Sequence, residues 1–358
     1  EYHNDCTLSG APGTEVEVFG EIHFLQNAKL QGSITFHGVK GPRGPTQKKH
    51  RCVDVEGSLE FVEPNVEFIN CGSEDTDDGG GFYVEGEVIL REGRVVARGC
   101  KAQWGGGGFI GEGLKVSGGS MLFQDCEAGM DGGGLLLKKG SYQQSGTSNV
   151  TFVNCSAFHS GGGIGLWTSN FTQHAGHLSF QKCVARYGGG IYVNGSFHQS
   201  GGLLEGMDCA ASTMFGSGGL ISAVEVFLHG QIYANGCAAK EGGCIWGNVN
   251  ITGGLKIRHC YASYLGGAMF GSDVSLQGEI SIMNCSAGAG GAIYSKGSVV
   301  IENATVYLQD TVATKHGGGA IYAGNVKHKN GKLHVKSSWS KKNGGAIAAR
   351  YFYQTGFA

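Results

Sequence analysis

Proline is scarce, at 4 of 358 residues, and charge is sparse, with Asp, Glu, Lys and Arg together making only 16% of the chain. So little proline, with no glycine at strict third positions, excludes a collagen-like triple helix. An apolar content of 41% and an aromatic content of 10% exclude a disordered linker. Neither sign of charge dominates: 27 Lys+Arg against 29 Asp+Glu leave a formal charge of -2, which argues against a nucleic-acid binder. No apolar run approaches the ~20 residues that span a bilayer as a helix, so no membrane crossing is expected. The chain opens at Glu1 with no initiator Met and no basic-apolar leader, and reads as a soluble, processed or excerpted chain.

Glycine, by contrast, is abundant. The 67 glycines are about 19% of the chain against a usual figure of roughly 7%, and they are spread evenly, which points to a repeat whose turns each require them. A Gly-Gly-(small)-apolar mark ends at Phe82, Phe109, Leu135, Ile164, Ile191, Ile221, Ile245, Met269, Ile293, Ile321 and Ile347. A second mark precedes it by 8 to 12 residues: an apolar residue, two variable ones, then Cys, as in Phe68 to Cys71, Phe123 to Cys126, Phe152 to Cys155, Phe180 to Cys183, Ile257 to Cys260 and Ile282 to Cys285. Between the marks run short, β-branched stretches such as Ile191-Tyr192-Val193, too short for helices. A coil of about 26 residues with three such strands cannot bury its own apolar face, so coils must stack on one another.

The expected fold is therefore all-β: a right-handed, single-stranded parallel β-helix of about eleven coils of ~26 residues. At about 4.8 Å per rung it would form a rod of roughly 50 Å. Residues 1–60 are read as an N-terminal cap with the first strands, and 61–358 as the repeats, with the C-terminal end uncapped.

The motifs Gly290-Gly291-Ala292-Ile293, Gly318-Gly319-Ala320-Ile321 and Gly344-Gly345-Ala346-Ile347 resemble the GGAI motif of chlamydial polymorphic outer membrane proteins. The Phe-x-x-Cys mark resembles that family's Phe-x-x-Asn, with Cys in place of Asn, and the likeness runs from about Phe68 to Ile347. The resemblance implies a surface-displayed β-helical passenger with a role in adhesion. No β-barrel translocator follows here, and related repeats also occur in surface proteins of algae and protists, the setting preferred for this chain.

Nine of the twelve cysteines fall in one column: Cys71, Cys100, Cys126, Cys155, Cys183, Cys209, Cys237, Cys260 and Cys285. Thr311 holds that place in a later repeat, so the position wants something small. Buried free thiols acting as small hydrophobes are the favoured state, with rung-to-rung disulfides the alternative. Cys6, Cys52 and Cys244 lie outside the column, and Cys6 with Cys52 is the candidate staple across the N-terminal segment. Zinc is not expected, since Cys237 and Cys244 lack the spacing of a finger or knuckle. Seven Asn-x-Ser/Thr sequons point to a eukaryotic secretory route. Two of them, Asn154 and Asn284, come with the Asn-Cys-Ser repeat motif, which leaves Asn149, Asn170, Asn194, Asn250 and Asn303 as the expected glycan sites.

Chemistry is thinly signalled. Many β-helices cleave polysaccharides with clustered carboxylates or an Asp and a base, and the candidates here are Asp78, Asp131, His159 and Arg186, each just before a Gly-Gly corner. The same place also holds Trp104, Tyr187 and Glu241, the drift of a solvated turn without a shared task. The acidic turn with Asp75, Asp77 and Asp78 is a weak calcium candidate without EF-hand spacing. No G-x-S-x-G motif occurs, and no cofactor is expected.

Residues 53–92 contain twelve acids and one base, a net of -11, while the chain after Asp310 contains eight bases and no acid. Opposite charge toward opposite ends would suit head-to-tail assembly. The expected function is a non-enzymatic structural or adhesive rod of a cell surface or extracellular filament, meeting protein partners or itself at its ends and cell-surface glycans along its faces. The alternatives are a polysaccharide lyase or hydrolase, and a scaffold subunit in an organelle lumen.

Overall fold

The computed structural model describes residues 6–19, 21–39, 50–73, 75–168 and 170–356. The described residues contain no α-helix; the chain is a parallel β-solenoid of about 13 turns with ~26 residues per turn. Two compact units divide it, residues 1–185 with 191–194, and residues 186–190 with 195–358.

In the first unit the Gly-Gly mark is a hydrogen-bonded column. Phe82 pairs with Phe109, Phe109 with Leu135, Leu135 with Ile164, and Ile164 with Ile191, all in parallel register. The column also extends backwards, since Ile22 pairs with Val53 and Val53 with Phe82. Those two turns carry no Gly-Gly, which is why glycine alone suggests eleven turns where there are about thirteen. Strands of the segment read as a cap with the first strands join the solenoid: Cys6–Val18 pairs with Ala28–Gly38, and Ala28–Gly38 with Leu59–Ile69. In the second unit the same column runs from Ile221 through Ile245, Met269, Ile293 and Ile321 to Ile347.

Two local devices recur at the corners of the turns. At the Gly-Gly corner the first glycine takes positive φ, as at Gly132 (65°), and a Cβ on Gly133 would lie 2.3 Å from the Ser156 carbonyl oxygen and 2.4 Å from that of Gly162. Only glycine meets both demands. The other corner lies just before the cysteine column, where Asn70, Asp125, Asn154 and Lys182 in the first unit, and Asp208, His259, Asn284 and Asp310 in the second, all hold φ between 51° and 55°. Asn and Asp tolerate the left-handed region best among residues with a side chain, which accounts for their frequency there. Asn154 also donates from Nδ2 to Asp125 Oδ1 of the turn before (2.7 Å).

Like stacks on like in the interior. Phe123, Phe152 and Phe180 lie in near-parallel stacks with centroids 4.9 Å apart, and Tyr142 stacks on Phe171 at 4.4 Å. All five rings are almost wholly excluded from solvent. Such offset aromatic pairs add about 0.5–1.5 kcal/mol each beyond burial of their area.

Candidate functional site

The cysteine column is a row of buried thiols with carbonyl partners. In the first unit Cys100, Cys126, Cys155 and Cys183 each turn Sγ toward a carbonyl of the preceding turn, those of Phe68, Ala97, Phe123 and Phe152, at 3.4 to 3.7 Å. A small side chain with one weak donor is what the position accommodates, and Thr311 meets the same need with a buried hydroxyl on Ser338 (2.8 Å). Burial in this apolar interior pushes the Cys100 and Cys155 thiols, and those of Cys244 and Cys260 in the second unit, well above the ordinary thiol range.

Cys71 is the exception in the column. It is bonded to Cys52, with Cα atoms 5.5 Å apart, so the expected Cys6–Cys52 staple is replaced by Cys52–Cys71 and Cys6 keeps a free thiol. The reason lies in the register. Cys52 sits immediately before the first strand of its turn and faces inward toward the column, whereas Cys6 pairs with Ala28 on another strand. Cys244 repeats the position of Cys52, and the structure brings it together with Cys237 and Cys260. These three buried thiols, with Sγ atoms within 4.8 Å of one another, are the one group of three potential metal ligands among the described residues.

The proposed catalytic residues are only partly assembled. In the first unit the column before the Gly-Gly corner runs Asp78, Gly105, Asp131, Ser160 in consecutive parallel bridges. Ser160, rather than His159, therefore holds the fourth place, because corner lengths vary and the sequence alignment slips by one. Asp78 and Asp131 are two rungs apart, roughly 10 Å along the stack. Asp78 is bound by Lys138 Nζ at 2.7 Å, and buried Asp131 lies 3.2 Å from His159 Nδ1. Ser160 Oγ contacts that same Nδ1 at 2.8 Å. His159 thus meets both the hydroxyl and the carboxylate through one nitrogen, unlike the histidine of a triad, which uses both, and Ser160 is itself buried. Arg186 belongs to the second unit, where its guanidinium covers the rings of Tyr187 (5.3 Å) and Phe215 (5.5 Å).

The calcium candidate fares similarly. Asp75 and Asp77 are exposed, Asp78 is engaged by Lys138, and the three do not converge on a common point. The turn is held instead by Ser73 and Thr76, with the Ser73 N–H donating to Thr76 Oγ1 (2.8 Å).

A groove on the first unit is lined by Tyr83, Glu85, Glu112, Lys138 and Lys139, among others. Tyr83 lies under the Arg51 guanidinium (4.7 Å) and near Lys138 (5.8 Å), and burial raises its phenol above the usual range. Burial also raises Asp54, against the pull of Arg51 at 3.5 Å. Neighbouring turns neutralise much of the acidic segment: Glu60 meets Lys29 and Arg91, Glu67 meets Arg94, and Glu87 meets Lys115. The local count of -11 is therefore no bare acidic face.

On the second unit Trp246, Phe270, Tyr294 and Tyr322 form a ladder with centroids 5.1 to 6.1 Å apart and planes within 11°, in which Phe270 is buried and the other three are partly buried. The rings cover one another's faces, so the ladder offers edges rather than platforms for a sugar. Beyond it the lysines at 327, 329, 332, 336, 341 and 342 are all exposed. Lys329 pairs with Glu302 at 2.7 Å, the one carboxylate within ion-pair distance of these six among the described residues.

The sequons divide by accessibility. Asn149, Asn170, Asn194 and Asn303 are exposed, and Thr151 Oγ1 donates to Asn149 Oδ1 within its own sequon (3.3 Å). Asn250 is half-buried with Oδ1 enclosed, which makes it the least accessible of the five expected sites. Comparison with known proteins finds no family model, no curated protein and no solved structure that matches the chain.

Proposed function

We propose that this chain is a non-enzymatic, structural and adhesive β-solenoid of a cell surface or extracellular layer, carrying N-linked glycans and binding acidic glycans through the lysine-rich turns of its second unit. The observation that carries the reading is the set of six exposed lysines, opposed by a single carboxylate among the described residues. Clustered cations of this kind attract polyanions and do so less as salt rises. The resemblance to GGAI-repeat surface proteins supports the adhesive setting, and the exposure of four of the five expected glycan sites supports the secretory route.

The enzymatic alternative draws less support, since Asp78 is ion-paired to Lys138 of a later turn and Asp131 to His159 of the next. Self-association would draw on the same lysines, with a second copy supplying the acids. The test is binding of a sulfated or uronate-rich polysaccharide to the whole chain at low and high salt, with the chain length of the polysaccharide followed throughout. Salt-sensitive binding that Lys332→Glu with Lys336→Glu abolishes, and an unshortened polysaccharide, are expected. Shortening of the polysaccharide, or binding unaffected by both substitutions, would overturn the reading.

A further inference from the structure

The two cysteines that precede a first strand, Cys52 and Cys244, occupy the same place in their turns. The N–H groups of Cys52 and Val53 both donate to the Gly81 carbonyl, and those of Cys244 and Ile245 both donate to that of Ala268. Their counterparts match as well. Cys71 follows the left-handed Asn70 (φ 52°) and accepts from Lys101 N–H, while Cys260 follows the left-handed His259 (φ 53°) and accepts from Ser286 N–H, each at 3.0 Å. One of these two equivalent corners is closed covalently, as Cys52–Cys71. In the other, Cys244 and Cys260 are free thiols with Sγ atoms within 4.8 Å, both buried.

We infer that Cys244 and Cys260 form a second coil-closing disulfide, homologous in position to Cys52–Cys71. The backbone hydrogen bonds around the two residues match those of the bonded pair, and their Sγ atoms already lie within 4.8 Å. The third thiol, Cys237, belongs to the preceding turn of the column, whereas the bonded corner joins two cysteines of one turn. A metal at the three thiols is the poorer use of the site. Three thiolates around a divalent cation would leave net negative charge among residues with 0–1% exposure, whereas a disulfide is neutral.

The bond forms before the turn closes, while thiolates are still reachable, with a low-molecular-weight disulfide such as oxidised glutathione as oxidant. Cys244 thiolate attacks one glutathione sulfur and expels glutathione thiolate. Cys260 thiolate then attacks Cys244 Sγ and expels the second, so two thiols lose two protons and two electrons and one glutathione disulfide becomes two glutathione thiols. The inference does not depend on the glycan-binding reading, only on an oxidising compartment.

The test is to refold the whole chain in a glutathione redox buffer, alkylate residual thiols in denaturant, and map the peptides without reduction. Linked peptides Cys52–Cys71 and Cys244–Cys260 are expected, with Cys100, Cys126 and Cys155 alkylated. Cys244→Ala should release Cys260 for complete alkylation and leave Cys52–Cys71 intact. Alanine fits there, since Ala268, Ala292 and Ala320 hold the place in later turns. Alkylated Cys244 beside an intact Cys52–Cys71, a Cys237–Cys244 link, or zinc retained one per chain by the wild type and lost by Cys244→Ala would each overturn the inference.

Discussion

Buried thiols make the solenoid sensitive to alkali, and Cys100 and Cys155 allow the effect to be sized. Both are fully excluded from solvent, and burial raises each well above the ordinary thiol value of about 9. In the unfolded chain they ionise near that value, whereas in the folded chain they keep their protons. Above about pH 9 the folded state therefore binds more protons than the unfolded state, and stability falls as pH rises. Below that pH the contribution is fully present. Because the unfolded thiol is only half ionised at pH 9, each removes about 1 kcal/mol between pH 9 and 10, so the two together remove about 2 kcal/mol. The assay is urea unfolding from pH 7.5 to 10, compared with a Cys100→Ala, Cys155→Ala double variant. The variant starts less stable, but its slope above pH 9 should be shallower by that amount. Equal slopes in the two proteins would refute the claim that these thiols are held neutral in an apolar interior.

Other expectations follow from single positions. Phe152→Ala removes a ring stacked on both Phe123 and Phe180, and should cost about 3–5 kcal/mol in chemical unfolding. His259→Val places a β-branched residue at φ 53° and should destabilise by about 1–2 kcal/mol, while His259→Gly should be tolerated, as Gly99 and Gly236 are at equivalent corners. Asp131→Asn should leave stability and polysaccharide binding nearly unchanged, because the amide can still accept from the neighbouring imidazole; loss of a polysaccharide-cleaving activity in this variant would restore the enzymatic reading.

The register of the fold was legible because two marks recur in each turn, and the residues that carry them, from Phe82 to Ile191 and from Ile221 to Ile347, are directly hydrogen-bonded neighbours. The two earliest turns were hidden because Ile22 and Val53 follow no Gly-Gly. The left-handed corner before the cysteine column went unread: Asn, Asp or Gly stands there in most turns, but Lys182 and His259 keep the backbone without that composition. Which cysteine meets Cys52 could not be read from a column drawn along the sequence, since the pairing crosses the interior of one turn. The slip between His159 and Ser160 has a similar cause: corner length varies, and only the hydrogen-bonded bridges fix which residue stacks on Asp131.

The most direct test of the account is the intact mass of the natively isolated protein before and after removal of N-linked glycans. A secreted surface protein should lose mass on deglycosylation, with Asn converted to Asp at exposed Asn149, Asn170, Asn194 and Asn303 and little change at Asn250. An unmodified mass at all five sequons in the native source would contradict the extracellular assignment and the adhesive function built on it.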